Sequence, residues 1–153
     1  MVLIILLSTK TILHHNHSIA DHYSQKKKHE FDYIIGNPPY LKIAKDAEEA
    51  KAMPSVCYGS PNLYFLFWAM GIHNLKQEHE LVYIVPRSWT SGAYFKKFRQ
   101  YLFQYCVITD IHLFESRNKV FDGESVLQET LIIKIKKSNK KTRIYQYFFF
   151  INF

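Results

Sequence analysis

Ten residues, Phe31 to Tyr40 (FDYIIGNPPY), restrict what this chain can become more than any other stretch. FDYII is a short β-branched and aromatic run, the composition of a buried parallel strand. Gly36 ends it, and the consecutive Pro38 and Pro39 exclude both a helix and a continuing central strand. The chain is forced into a stiff turn at a strand's carboxyl end, where open α/β sheets bind ligands. That turn carries one amide side chain, Asn37, and one aromatic ring, Tyr40.

An amide oxygen and a proline-fixed carbonyl, that of Pro38, can together accept both hydrogens of an exocyclic amino group. Accepting them draws the nitrogen toward sp³ geometry and frees its lone pair for attack. Tyr40 offers a flat base a stacking face, worth about 1–3 kcal/mol in single-strand binders. That helps offset the few kcal/mol needed to extrude a base. The plain alternative is a proline-stiffened loop with an incidental tyrosine.

A length of 153 residues suits one domain with a real core. A formal charge of +7 favours a polyanionic partner, although surface lysines also serve solubility. Cys57 and Cys106 are far apart and lack a metal-ligand pattern, so reduced thiols in a cytoplasmic protein are the simplest account. His14, His15, His17 and His22 lack zinc spacing, and no metal site is expected. MVLIILL is too short to span a bilayer, and no basic residue precedes it as in a signal peptide.

Met1–Leu7 reads as either a strand or the end of a core helix, and Lys26–His29 as a basic connector. AKDAEEAKA forms a short helix that stops before Pro54, in a solvent-exposed flap. Ser60 is expected to cap a helix with Pro61 in its first turn, and Leu63–Leu75 is apolar almost all round, as in a buried helix. Leu81–Val85 is a strand stopped by Pro86, and Arg87–Ser91 a turn. Ala93–Tyr105 places Phe95, Phe98, Leu102 and Tyr105 on one helical stripe. Lys96, Lys97 and Arg99 then fall on other faces, solvated or near DNA phosphates. Val107–Phe114 and Thr130–Ile135 are further strands, and KKSNKKT reads as the basic tip of a hairpin that returns along Arg143–Phe150.

FDYIIGNPPY resembles the catalytic motif of adenine-N6 DNA methyltransferases. More narrowly, it is similar to the large methylases of restriction-modification systems that fuse modification and cleavage in one polypeptide (type IIG-like). NLYFLF (Asn62–Phe67) and VPRSW (Val85–Trp89) resemble the same family. For Tyr64 and Trp68, core packing is the preferred reading. The resemblance covers about residues 31–137. It implies methyl transfer from S-adenosylmethionine to adenine N6 in double-stranded DNA, with Asn37, Pro38, Pro39 and Tyr40 as the catalytic residues. It also implies that Phe121, in the Val120-Phe121 pair, contacts the second side of the base, with packing under its loop as the alternative. Asn16-His17-Ser18-Ile19 is a weaker counterpart of a family element beside the adenine, with a plain surface loop the preferred reading.

The expected fold is α/β: the C-terminal half of a class I S-adenosylmethionine-dependent methyltransferase (Rossmann-like) sheet with an antiparallel edge hairpin. Residues 1–30 are an atypical segment where a remnant of the cofactor half would lie, 31–137 the catalytic half, and 138–153 a basic turn and an edge strand or truncated tail. The cofactor-binding residues cannot be assigned, because all five glycines are isolated and no glycine-rich turn occurs. The expectation is therefore a fragment of a longer restriction-modification protein, made by truncation or frameshift and partnered by the missing parts. A non-catalytic, nucleic-acid-binding remnant stays open. So does a glutamine-N5 protein methyltransferase, since NPPY occurs there too.

Overall fold

The computed structural model describes residues 2–5, 31–113 and 129–138. Strands β1 (Val2–Ile5), β2 (Phe31–Gly36), β3 (Leu75–Pro86), β4 (Cys106–Leu113) and β5 (Thr130–Lys137) form one sheet in the order β1-β2-β3-β5-β4. The first three run parallel, and β5 lies antiparallel between β3 and β4. Helices α1 (Glu48–Ala52), α2 (Leu63–Asn74) and α3 (Lys96–Tyr105) complete the regular structure, with 3₁₀ turns at Arg87–Thr90 and Ala93–Phe95.

The mixed α/β sheet agrees with the sequence expectation, and its antiparallel edge is formed by β4 and β5. Both sides of β5 are occupied, by β3 and by β4, so β5 is an interior strand. The proposed return strand Arg143–Phe150 lies outside the described residues. Strand β5 alternates buried Leu131, Ile133 and Ile135 with half-buried neighbours, as expected where one face meets helices.

Helix α2 organises the core. Every residue in it except His73 is buried, which accounts for a sequence that is apolar on all sides. Its cap is Asn62 rather than Ser60: the Asn62 side chain accepts from the Tyr64 N–H at 3.3 Å. Pro61 therefore precedes the cap. Gly71 meets β3 so closely that an added methyl would fall 2.7 Å from Leu81 Cδ1.

Strand β3 begins at Leu75, directly after α2, six residues before the expected start. Its polar opening is held by cross-strand ion pairs, Lys76 to Asp32 at 2.8 Å and Glu78 to Lys136 at 3.0 Å. Hydrophobic periodicity does not register such pairs. The register slips between Phe31 and Tyr33, and Glu78 takes φ 64° there, a locally bulged geometry.

Of the predicted α3 stripe, Phe98 and Leu102 are fully buried. Phe95 sits in the 3₁₀ turn before the helix, and Tyr105, in the last turn, is 36% exposed. The Arg99 guanidinium is engaged with the backbone, donating to the carbonyls of Trp89, Ser91 and Gly92 at 3.0, 2.9 and 2.8 Å. Among the described residues, no helix is long and apolar enough to cross a membrane.

Candidate active site

Strand β2 delivers Asn37, Pro38, Pro39 and Tyr40 to the carboxyl end of the parallel strands. Both prolines are buried, while Asn37 and Tyr40 are half-buried at the site's surface. The amide and the ring are in contact, with Tyr40 Oη 2.8 Å from Asn37 Oδ1. The same hydroxyl lies 3.0 Å from the Ile84 carbonyl oxygen near the end of β3. Burial pushes the Tyr40 hydroxyl pKa up, so it keeps its proton at neutral pH.

Segments distant in sequence wall this turn. Tyr64, from the first turn of α2, meets the Tyr40 ring edge-on at 6.1 Å and 85°. The Tyr64 hydroxyl lies 3.3 Å from Ser88 Oγ in the turn after β3. Phe95 packs against Tyr64 at 6.2 Å, and Tyr94 against Phe95 at 5.1 Å. NPPY, NLYFLF and VPRSW therefore converge on one place. Tyr64 is buried, in keeping with its core reading, yet it also braces Tyr40.

Backbone pairing holds the flap that follows the turn. Ile43 N–H donates to the Pro61 carbonyl and Leu63 N–H to the Leu41 carbonyl, both at 2.8 Å. These bonds tie the segment after Tyr40 to the entrance of α2. Ile84, Ser88 and Phe95 were not singled out as site residues by the sequence. Ser88 lay in VPRSW, Ile84 in the expected strand Leu81–Val85 and Phe95 on the expected helical stripe, and a backbone carbonyl or a packed ring leaves no spacing pattern that marks a site. Phe121, His17 and the other histidines of the N-terminal segment lie outside the described residues.

A cavity of about 560 Å³ opens at the other end of β3, lined by His73, Gln77, Lys97, Gln100, Gln104 and Lys137 among others. None of Asn37 to Tyr40 reaches it. Among the described residues, no group of three or more His, Cys, Asp or Glu is placed to hold a metal ion.

In this fold a methyl-donor cofactor would be cradled where the backbone after the first strand approaches it closely. The residues after β1 are Leu6, Leu7, Ser8 and Thr9, each of which carries a Cβ. These residues lie outside the described part of the chain, and none of them is a glycine.

Comparison with known proteins agrees with this topology. The chain is 40% identical over 112 residues to the type II methyltransferase M.BsuBI of Bacillus subtilis, covering 73% of this chain and 22% of that protein. It is 37% identical over 126 residues to the type II methyltransferase M.PstI of Providencia stuartii, covering 82% and 24% respectively. The chain thus spans about a quarter of the length of these relatives. Among solved structures it is similar to a Listeria monocytogenes protein assigned to the class I S-adenosylmethionine-dependent methyltransferases. That match has a TM-score of 0.59 at 18% identity, over 80% of this chain and 36% of the other. The type IIG restriction endonuclease BpuSI matches with a TM-score of 0.55 at 18% identity, over 72% and 14%. Residues 6–121 match the Eco57I restriction-modification methylase family, and the chain belongs to that family.

Proposed function

We propose that this chain carries the amine-binding site of a restriction-modification methyltransferase that modifies adenine N6 in double-stranded DNA. The observation that carries this reading is the contact between Asn37 and Tyr40 on a proline-stiffened turn at the end of a parallel strand. Asn37 Oδ1 and the Pro38 carbonyl accept the two hydrogens of the exocyclic amine and localise its lone pair. Pro39 stiffens the turn, while Tyr40 stacks on the extruded base and Phe121 covers its second side. No covalent enzyme intermediate is needed in this reading, because the bound donor would supply a methyl group activated for direct transfer, its thioether leaving as the methyl–sulfur bond breaks and the amine nitrogen losing one proton. S-adenosylmethionine is the methyl donor in this reading, and its cradle belongs to parts of the protein other than the residues described. The formal charge of +7 supports DNA as partner, and a cytoplasmic location goes with that substrate in this reading.

The test is methyl transfer from labelled S-adenosylmethionine by the purified chain, with calorimetry of cofactor binding on the same sample. Incorporation into adenine N6 of DNA, lost by at least about 100-fold in Asn37→Ala, is the expected result; a loss of that size equals about 2.7 kcal/mol of transition-state stabilisation. Incorporation into glutamine of a protein substrate would assign the chain to the glutamine-N5 class. A second reading, a non-catalytic remnant, is favoured by the isolation of all five glycines in the sequence. A folded chain that binds no cofactor and methylates nothing would establish it.

A further inference from the structure

Stacking does not require the Tyr40 hydroxyl, since a phenylalanine ring presents the same face to a base. The hydroxyl nevertheless sits between two oxygens, 2.8 Å from Asn37 Oδ1 and 3.0 Å from the Ile84 carbonyl. A phenol has one hydrogen, so it donates fully to only one of them at a time. The two acceptors differ in kind. Asn37 Oδ1 is the oxygen an incoming amine would use, whereas the Ile84 oxygen belongs to the backbone of β3, which is paired with strands on both sides. Strand β2 pairs no further than Gly36, opposite Tyr83, and Tyr40 takes the carbonyl of the next residue of β3.

We propose that the Tyr40 hydroxyl, bridging the Asn37 amide and the Ile84 carbonyl, is a positioning group that sets the Asn37 side chain for the incoming amine. The proposal rests on the amino-methyltransferase reading above and assigns the hydroxyl a role apart from the ring. In the empty site the hydroxyl hydrogen satisfies Asn37 Oδ1, which would otherwise be partly desolvated without a donor. When an amino group donates to that oxygen, the hydroxyl hydrogen turns to Ile84 and no polar group is left unpaired. The Tyr64 ring, edge-on at 6.1 Å, limits how far the Tyr40 ring can swing, so the position of Oη is set by packing. The reactive amide is thereby referenced to the rigid strand β3 rather than to the turn alone.

The experiment compares the wild-type chain with Tyr40→Phe, which keeps the ring and removes the bridge. In ¹⁵N-labelled protein, the Asn37 side-chain NH₂ resonances, assigned by their loss in Asn37→Asp, should shift in Tyr40→Phe. The rate of DNA methylation, kcat, should fall about tenfold with KM for DNA within twofold, whereas Tyr40→Leu should also raise KM. An unmoved Asn37 pair, or an unchanged kcat in Tyr40→Phe, overturns the proposal. If the wild-type chain methylates nothing, the enzymatic reading fails separately, and adenosine decides on the hydroxyl. Titrated adenosine must then shift the Asn37 pair in the wild type and bind at least fivefold more weakly to Tyr40→Phe; no shift, or equal binding, overturns it. Should Tyr40→Phe not fold, a ¹³Cζ-tyrosine label in the wild type replaces it. The Tyr40 Cζ resonance must then move with adenosine, and a fixed resonance overturns the proposal.

Discussion

The Lys137 ammonium donates to the carbonyls of His73 and Leu75, 3.1 and 2.6 Å away, and so neutralises the open C-terminal end of α2. It is only 8% exposed, although it stands at the start of a run that reads as a basic, solvated turn. Arg99 does the same for the turns before α3, where a planar fork reaches three carbonyls that a lysine could not reach together. Basic side chains here fasten helix ends as well as charging the surface, so the net charge overstates the positive charge left free at the surface. At the same scale, burial pushes the Cys106 thiol up to about 12 and the Cys57 thiol to about 11. Thiolate is then scarce at neutral pH, and thiolate is the reactive form. Iodoacetamide at pH 8 should leave Cys106 unmodified in the native chain, label Cys57 slowly, and label both quickly in denaturant. Mass spectrometry after timed quenching checks this, and rapid native labelling of Cys106 would contradict its buried position.

At the level of elements, the contact between α2 and β3 is set by what Gly71 lacks. An added methyl there would lie 2.7 Å from Leu81 Cδ1 and 3.1 Å from Tyr83 Oη, and both neighbours are fully buried. Gly71→Ala gains up to about 1 kcal/mol of helix propensity. Against that stands overpacking, which costs about 1–3 kcal/mol in a filled core. The expected net effect is a loss of about 1 kcal/mol, or a few degrees in Tm, measured by thermal or urea unfolding. A stabilised variant would mean that the helix can move off the sheet. The site would feel such a movement, because α2 carries Tyr64, the brace on Tyr40.

Across the whole molecule, ion pairs run over the strands of the sheet. Lys76 meets Asp32, Lys134 meets Asp110 and Glu80, and Lys136 meets Glu78. The Lys76 ammonium hydrogen-bonded to Asp32 holds that carboxyl well below the usual range, and Lys134 does the same for Asp110. Carboxyls lowered by folding add stability that is complete above their unfolded value and is lost as pH falls through the lower folded values. With an ordinary aspartate value of 3.8, Tm should be flat from neutrality down to about pH 5 and decline below about pH 4. Asp32→Asn should lower Tm slightly at pH 7 and flatten the acid limb, and added salt should shrink the difference because these pairs are partly open to solvent. A scan of Tm against pH in both chains checks the sign.

How far the sequence could be read depended on whether the deciding force was local. FDYIIG as a strand, the forced turn at Asn37–Tyr40 and the buried helix from Leu63 follow from β-branching, fixed proline φ and apolar patterning, which act within a few residues. Local terms did not specify the start of β3 at Leu75, because cross-strand charges hold its polar opening. They did not specify Asn62 over Ser60 as the cap, because the loop pairing of Leu41 with Leu63 fixes where the helix begins. The insertion of β5 between β3 and β4 was likewise invisible, since strand order depends on contacts between residues far apart in the chain. By itself the sequence determined the strand and the stiff turn that present Asn37 and Tyr40. Only the tertiary structure brought Ile84, Tyr64 and Ser88 to that turn, because a backbone carbonyl and packed rings are selected by position in space rather than by spacing along the chain.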